Sequence, residues 1–199
     1  MKKLFALILT AVMLCAAGAV AEEAAGTAGE LPAYSYTGED PIDGAIANKA
    51  AEDEYREMYL TEPGCVNIPC VTVFKTEMTD DTHAKAYGKF WTLNYIKEGK
   101  TLVCISGGEH AGIITLEKNG GTWQVTDIEE AGEGIEFEED VKRFANGDEE
   151  LKKFYTAHQD MQEEPLQGIR TRFIRDYVKA NGLDADAYQD RNWDAIPLE

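Results

Sequence analysis

The chain has 199 residues and a formal net charge of −18, from 37 acidic and 19 basic side chains. That length suits one ordinary domain with a full core. A field of that sign repels phosphate backbones and anionic lipid, so nucleic acid and membrane are excluded as partners and an unknown protein or small-molecule ligand is left.

The first 21 residues read as a secretory leader. Lys2 and Lys3 give a positive start, an apolar run follows from Leu4, and Ala19-Val20-Ala21 before Glu22 supplies small residues for cleavage near Ala21. Cleavage would release the mature chain outside the cytoplasm. With Lys2 and Lys3 removed, 17 basic residues would face 37 acidic ones, a charge of −20. Export argues against ATP- or NAD-dependent metabolism, and no cofactor is expected. Lipid anchoring at Cys15 is disfavoured, because Leu14 stands where a small residue should precede the modified cysteine. The apolar run is also shorter than the ~18 residues a retained span needs.

Residues 22–39 are rich in Ala, Gly and Glu and lack periodicity, the pattern of a flexible tether. A single α+β domain is expected over 40–199, with helix plus sheet over 40–130 and a helical extension and tail over 131–199. Asp40-Pro41 predicts a helix start, an N-cap followed by Pro at the first helical position. The helix should run to about Leu60, with Ile42, Ile46, Ala50 and Met58 on one stripe. Thr61-Glu62-Pro63-Gly64 stops it.

From Val66 to Ile128 the pattern is that of strands. One runs toward Met78, and a long alternating segment covers residues 83 to 97. Leu102 to Ser106 forms a third and Gly107-Gly108 is expected to break it. Ile113 to Leu116 makes the fourth. Asn119-Gly120 signals a hairpin into a fifth at Trp123 to Ile128. Such short reversals cannot join parallel neighbours, so an antiparallel meander of about five strands is expected, packed against the first helix. Three helical segments follow. One ends at Asn146-Gly147, one is capped by Asp148, and one after Pro165 closes at Asn181-Gly182. The tail carries Trp193 and Pro197 and should pack back on the domain.

This element order, over Asp40 to Ile128, resembles the cystatin-like and NTF2-like α+β families. The resemblance implies a curved sheet wrapping the helix around a cone-shaped cavity. Ile105-Ser106-Gly107-Gly108-Glu109-His110-Ala111-Gly112 and Tyr188-Gln189-Asp190-Arg191-Asn192-Trp193-Asp194 are similar to segments of exported bacterial proteins without an assigned activity.

Ser106, Gly107, Gly108 and His110 form the candidate site. The glycines permit close backbone approach and an anion-binding nest, and His110 is the best candidate for acid/base chemistry. Glu109 and His110 should point to opposite faces of a strand and so not act together. Ser106 is outside a G-x-S-x-G elbow. Tyr87, Trp91 and Tyr95 share one parity of the long strand, where they would line a ligand pocket or close a core. His83, beside Asp80 and Asp81, reads as a solvated turn residue. The Asp184, Asp186, Asp190 and Asp194 series fails the calcium-loop pattern, with Gln189 and Ala195 where Gly and Glu are needed. No metal is expected. Cys65 and Cys70 are close enough to bridge in an oxidising compartment, or to remain thiols in a reducing niche, while Cys104 reads as a buried small hydrophobe.

The reading is a secreted non-enzymatic binding or interaction module. The alternatives are a small hydrolase or isomerase with His110 as acid/base and Tyr95 or Trp91 positioning substrate, or a cell-surface protein whose tether spaces the domain from a partner.

Overall fold

A computed structural model describes residues 30–52 and 64–199. The leader, Cys15, the cleavage site, residues 22–29 of the expected tether and the continuation of the first helix to Leu60 lie outside the described residues. Helix α1 spans Pro41–Glu52. Strands β1 (Val66–Asn67), β2 (Cys70–Met78), β3 (His83–Glu98), β4 (Thr101–Asn119) and β5 (Thr122–Glu130) follow. Then come α2 (Ile135–Ala145), α3 (Glu149–Thr156), α4 (Leu166–Ala180), β6 (Ala187–Asp190) and β7 (Ile196–Pro197). The class is α+β, built on a mixed, open seven-stranded sheet. None of the described helices is long and apolar enough to cross a membrane.

Local chemistry accounts for most boundaries. The Asp40 carboxylate accepts from the Ile42 and Asp43 amides at 2.8 and 3.1 Å, satisfying first-turn donors of α1. Asp148 does the same for α3, accepting from Glu150 and Leu151. Asn146 and Gly147 end α2 with positive φ. The β4–β5 reversal sits one residue later than the Asn119-Gly120 signal. Gly120 and Gly121 take the positive φ values of 59° and 93°, and Asn119 stays in the ladder opposite Thr122.

The β3–β4 hairpin is the spine of the sheet, paired from His83↔Glu117 to Glu98↔Thr101. Here the expected break at Gly107-Gly108 is overturned: β4 runs through both glycines as one strand of 19 residues. The cause is β3, which is long enough to pair Leu93 with Gly107 and Thr92 with Gly108. A Cβ on Gly107 would lie 2.6 Å from the Thr92 carbonyl oxygen, so the missing side chain is what lets the strands close.

Strands β1 to β5 pair antiparallel, as expected, but the sheet as a whole is mixed. β6 runs parallel to β4, pairing Thr101↔Ala187 through Cys104↔Asp190. Three helices separate the two strands, which is ample chain for a parallel crossover.

Alternation along β3 and β4 assigns two apolar layers. Ala84, Ala86, Ile114 and Leu116 join Ile46, Ala47 and Ala50 of α1 in the main core, which extends to Phe173, Ile174 and Tyr177 of α4. Tyr87, Ala111 and Ile113, of the opposite parity, pack with Val141 and Phe144 of α2 and Leu151 and Tyr155 of α3. The last stretch of the expected tether is part of this packing. Leu31 is buried, Tyr34 stacks on Tyr177, and the Tyr36 amide donates to Asn48. The tail contributes buried Tyr188 and Leu198, but Trp193 is 61% exposed, contrary to its expected packing.

Candidate functional site

Two strands share the outer edge of β4 and do not meet. β5 pairs residues 112–119 of β4, and β6 pairs residues 101–104. The ends of this opening are marked by the Ala131 amide donating to the Ala111 carbonyl at 2.8 Å and the Arg191 amide donating to the Cys104 carbonyl at 3.2 Å. Residues 105–110 lie between. Because backbone groups alternate along a strand, Gly107 and Glu109 turn their N–H and C=O to the same edge as Ala111. No described strand lies opposite them there.

A cleft of about 600 Å³ opens at this edge, a volume within the range of ligand sites. Gly108, His110 and Ala111 form one side, and Glu130, Gly132 and Phe137 belong to the other. The far wall is braced from α2. Asp140 accepts from the Gly132 amide at 2.9 Å, and Arg143 bonds both Asp140 and Glu129.

Inside, register places His110 opposite Phe90 and Glu130 opposite Gly112, so both side chains share one face. The His110 ring stacks on Phe90, 4.8 Å between centroids, and is only 11% exposed. Its Nδ1 is 3.0 Å from the Glu130 carboxylate and its Nε2 is 3.5 Å from the Thr92 hydroxyl. A neutral imidazole satisfies both by donating from Nδ1 and accepting at Nε2. Protonation would turn Nε2 into a second donor. A carboxylate orienting an imidazole is half of an acid/base apparatus.

The other half is missing from the expected residues. Ser106 is four positions along the strand from His110, about 13 Å at strand rise, and its hydroxyl accepts from the Asn94 side-chain Nδ2 at 3.1 Å. Glu109 lies on the opposite face, where its carboxylate is 2.8 Å from the ammonium of fully buried Lys89. Lys89 also donates to the Ala157 carbonyl at 3.0 Å, tying the end of α3 to the sheet.

The three aromatics do not join His110. Tyr87 donates to Glu77 at 3.0 Å beside the α2–α3 layer. Trp91 and Tyr95 are buried in the main core. Tyr95 is committed to Arg170, whose Nε donates to its hydroxyl at 2.8 Å. Burial pushes the Tyr95 phenol well above its usual range, with Arg170 opposing.

Glu130 is the member of this candidate site that the sequence does not single out. It is 20 positions from His110, and only the β4–β5 register brings the pair together. Asn94 adds a second surprise on the same face: its buried Oδ1 accepts no hydrogen bond among the described residues. His83 is exposed as expected but opens β3 rather than sitting in the turn, and its ring is 2.9 Å from Asp80. Cys65, Cys70 and Cys104 are all buried, and no disulfide joins them among the described residues. Nor do the described residues place three or more His, Cys, Asp or Glu as a metal-binding group. No family model matches the chain, and neither a curated protein nor a solved structure does.

Proposed function

We propose that this chain is an exported binding module that holds its ligand in the cleft between the open edge of β4 and residues 130–137. One observation carries the reading. The cleft sits at a gap in the sheet with a fixed imidazole–carboxylate pair inside it, while the nearest expected nucleophile, Ser106, is a dozen ångströms away and already bonded to Asn94. Polar groups held by a rigid sheet beside apolar Ala111 and Phe137 suit orientation of a bound group. Export by the leader and a cystatin- or NTF2-like ancestry for the helix-and-sheet core belong to this proposal. The leader's sequence and the order of α1 before the hairpins support them.

A thermal-shift screen tests the reading. Ligands that raise the melting temperature of wild-type protein should lose most of that shift in His110→Ala. Hits unaffected by His110→Ala and by Glu130→Gln would place the ligand elsewhere and end the proposal.

The acid/base reading keeps one observation in its favour, the 3.0 Å His110–Glu130 contact. It requires that a hit be turned over, with the rate lost in both variants. Binding without turnover decides for the module.

A further inference from the structure

Among the described residues, the stretch of β4 left without a strand partner on this edge is about six residues long, close to 20 Å at strand rise, and is flanked in line by the ends of β5 and β6. We propose that it accepts an extended, basic peptide segment as an added strand between them. The proposal rests on the cleft being the ligand site and names the class of partner it takes.

Three independent features point there. First, Gly107 and Glu109 offer backbone donors and acceptors toward the gap, the grammar of strand addition. Second, the two glycines differ. A side chain on Gly107 would strike Thr92 and Leu93, whereas among the described residues a Cβ on Gly108 would meet only the His110 Nε2, at 3.6 Å. Packing on β3 therefore accounts for Gly107 and not for Gly108. Its missing side chain leaves room on the His110 face of the sheet, beside the gap, for a side chain of an added strand.

Third, the wall is strongly acidic. From residue 127 to 140 the chain carries eight carboxylates and no Lys or Arg. Glu133 and Glu136 are exposed beside the cleft, and Ile135 between them is 83% exposed. A segment alternating basic and apolar residues would set its charges against Glu130 and Glu133 and its apolar side chains against Phe137 and Ile135. A second copy of this chain is a poor occupant, because both partners would bring the same net negative charge.

The test uses the whole chain and a fluorescent, end-blocked octapeptide of alternating valine and lysine at about 0.15 M salt. Three companions accompany it: the same peptide N-methylated on alternate residues, a glutamate-for-lysine version, and the Glu133→Lys/Glu136→Lys variant of the protein. The expected results are saturable binding of the first peptide and binding about tenfold weaker after N-methylation. The glutamate peptide should not bind, and the variant should bind the first peptide several-fold less tightly. Amides of Gly107 and Glu109 should become protected from exchange in the complex.

Equal affinity for the N-methylated peptide would reduce the effect to diffuse charge attraction and overturn the proposal. So would concentration-dependent dimers that protect the same two amides without peptide. If no peptide binds while the thermal screen yields a small molecule sensitive to His110→Ala, this inference fails and the binding-module reading survives. If neither gives a ligand at the cleft, both fall.

Discussion

Arg170 is the largest fully buried side chain among the described residues, and its charge is answered by one carboxylate. Its two terminal nitrogens donate to Asp190 at 2.9 and 2.5 Å, and its Cζ lies 5.6 and 4.8 Å from the Tyr95 and Tyr188 ring centroids. Burial alone would raise the Asp190 pKa; the bonded guanidinium, helped by Gln162, outweighs it and holds the carboxyl below its usual value. A depressed carboxylate contributes stability that is present above its unfolded value, about 3.9, and is lost as pH falls through the folded value. Asp190→Asn removes the partner of a buried cation and should cost about 3 kcal/mol in urea unfolding at pH 7. The gap from wild type should narrow at pH 3, and a pH-independent gap would contradict the assignment. His83 shows the opposite sign. Its hydrogen bond to Asp80 raises its pKa, so its contribution is complete below about 6.5 and fades as pH climbs through the folded value. An NMR titration should find this imidazole above the ordinary value in wild type and lower in Asp80→Asn.

At the scale of elements, the glycines of β4 separate packing from access. Gly107→Ala forces a Cβ into the Thr92 carbonyl and the Leu93 side chain and should cost about 1–3 kcal/mol. Gly108→Ala, whose Cβ would make only an ordinary contact with His110 among the described residues, should be neutral or slightly stabilising. Denaturant midpoints of the two variants settle it, and equal losses would deny the close β3–β4 approach at Gly107. The same pair marks where sequence reading stopped. Gly-Gly carries a strong local turn signal, and only the length of the facing strand overrides it. By contrast Asp40-Pro41, Asp148 and Asn146-Gly147 act through their own or adjacent backbone, so their caps were legible. His110 could be singled out by its neighbours in sequence, but its partner Glu130 depends on register, and register depends on a turn that moved by one residue. Tyr95 was visible as an aromatic of the right parity, yet Arg170, 75 positions later, decides that it belongs to the core.

Across the whole molecule, the α+β class followed from a helix, a run of extended segments and three more helices, because those periods differ over long stretches. The parallel return of β6 did not. Four residues, Ala187 to Asp190, carry too little pattern to declare a partner more than 80 positions earlier. This return sets one end of the open edge, so the site depends on the least legible element. The cysteines give a global check on packing. Burial pushes the Cys70 thiol up to about 12 and the Cys104 thiol up to about 11. Iodoacetamide at pH 8 should leave both unmodified in the native protein and label them after unfolding. A denatured, unreduced chain that still protects Cys65 and Cys70 would instead reveal the bridge expected from their spacing.

The most direct measurement of the central claim is an amide-resolved NMR titration of the full chain with a hit from the thermal screen. The account predicts that the largest shifts fall on residues 107–111 of β4 and 130–134 across the cleft, while Trp91, Tyr95 and their α4 neighbours stay still. Shifts centred on the Tyr95–Arg170 core, with the β4 edge unchanged, would contradict it.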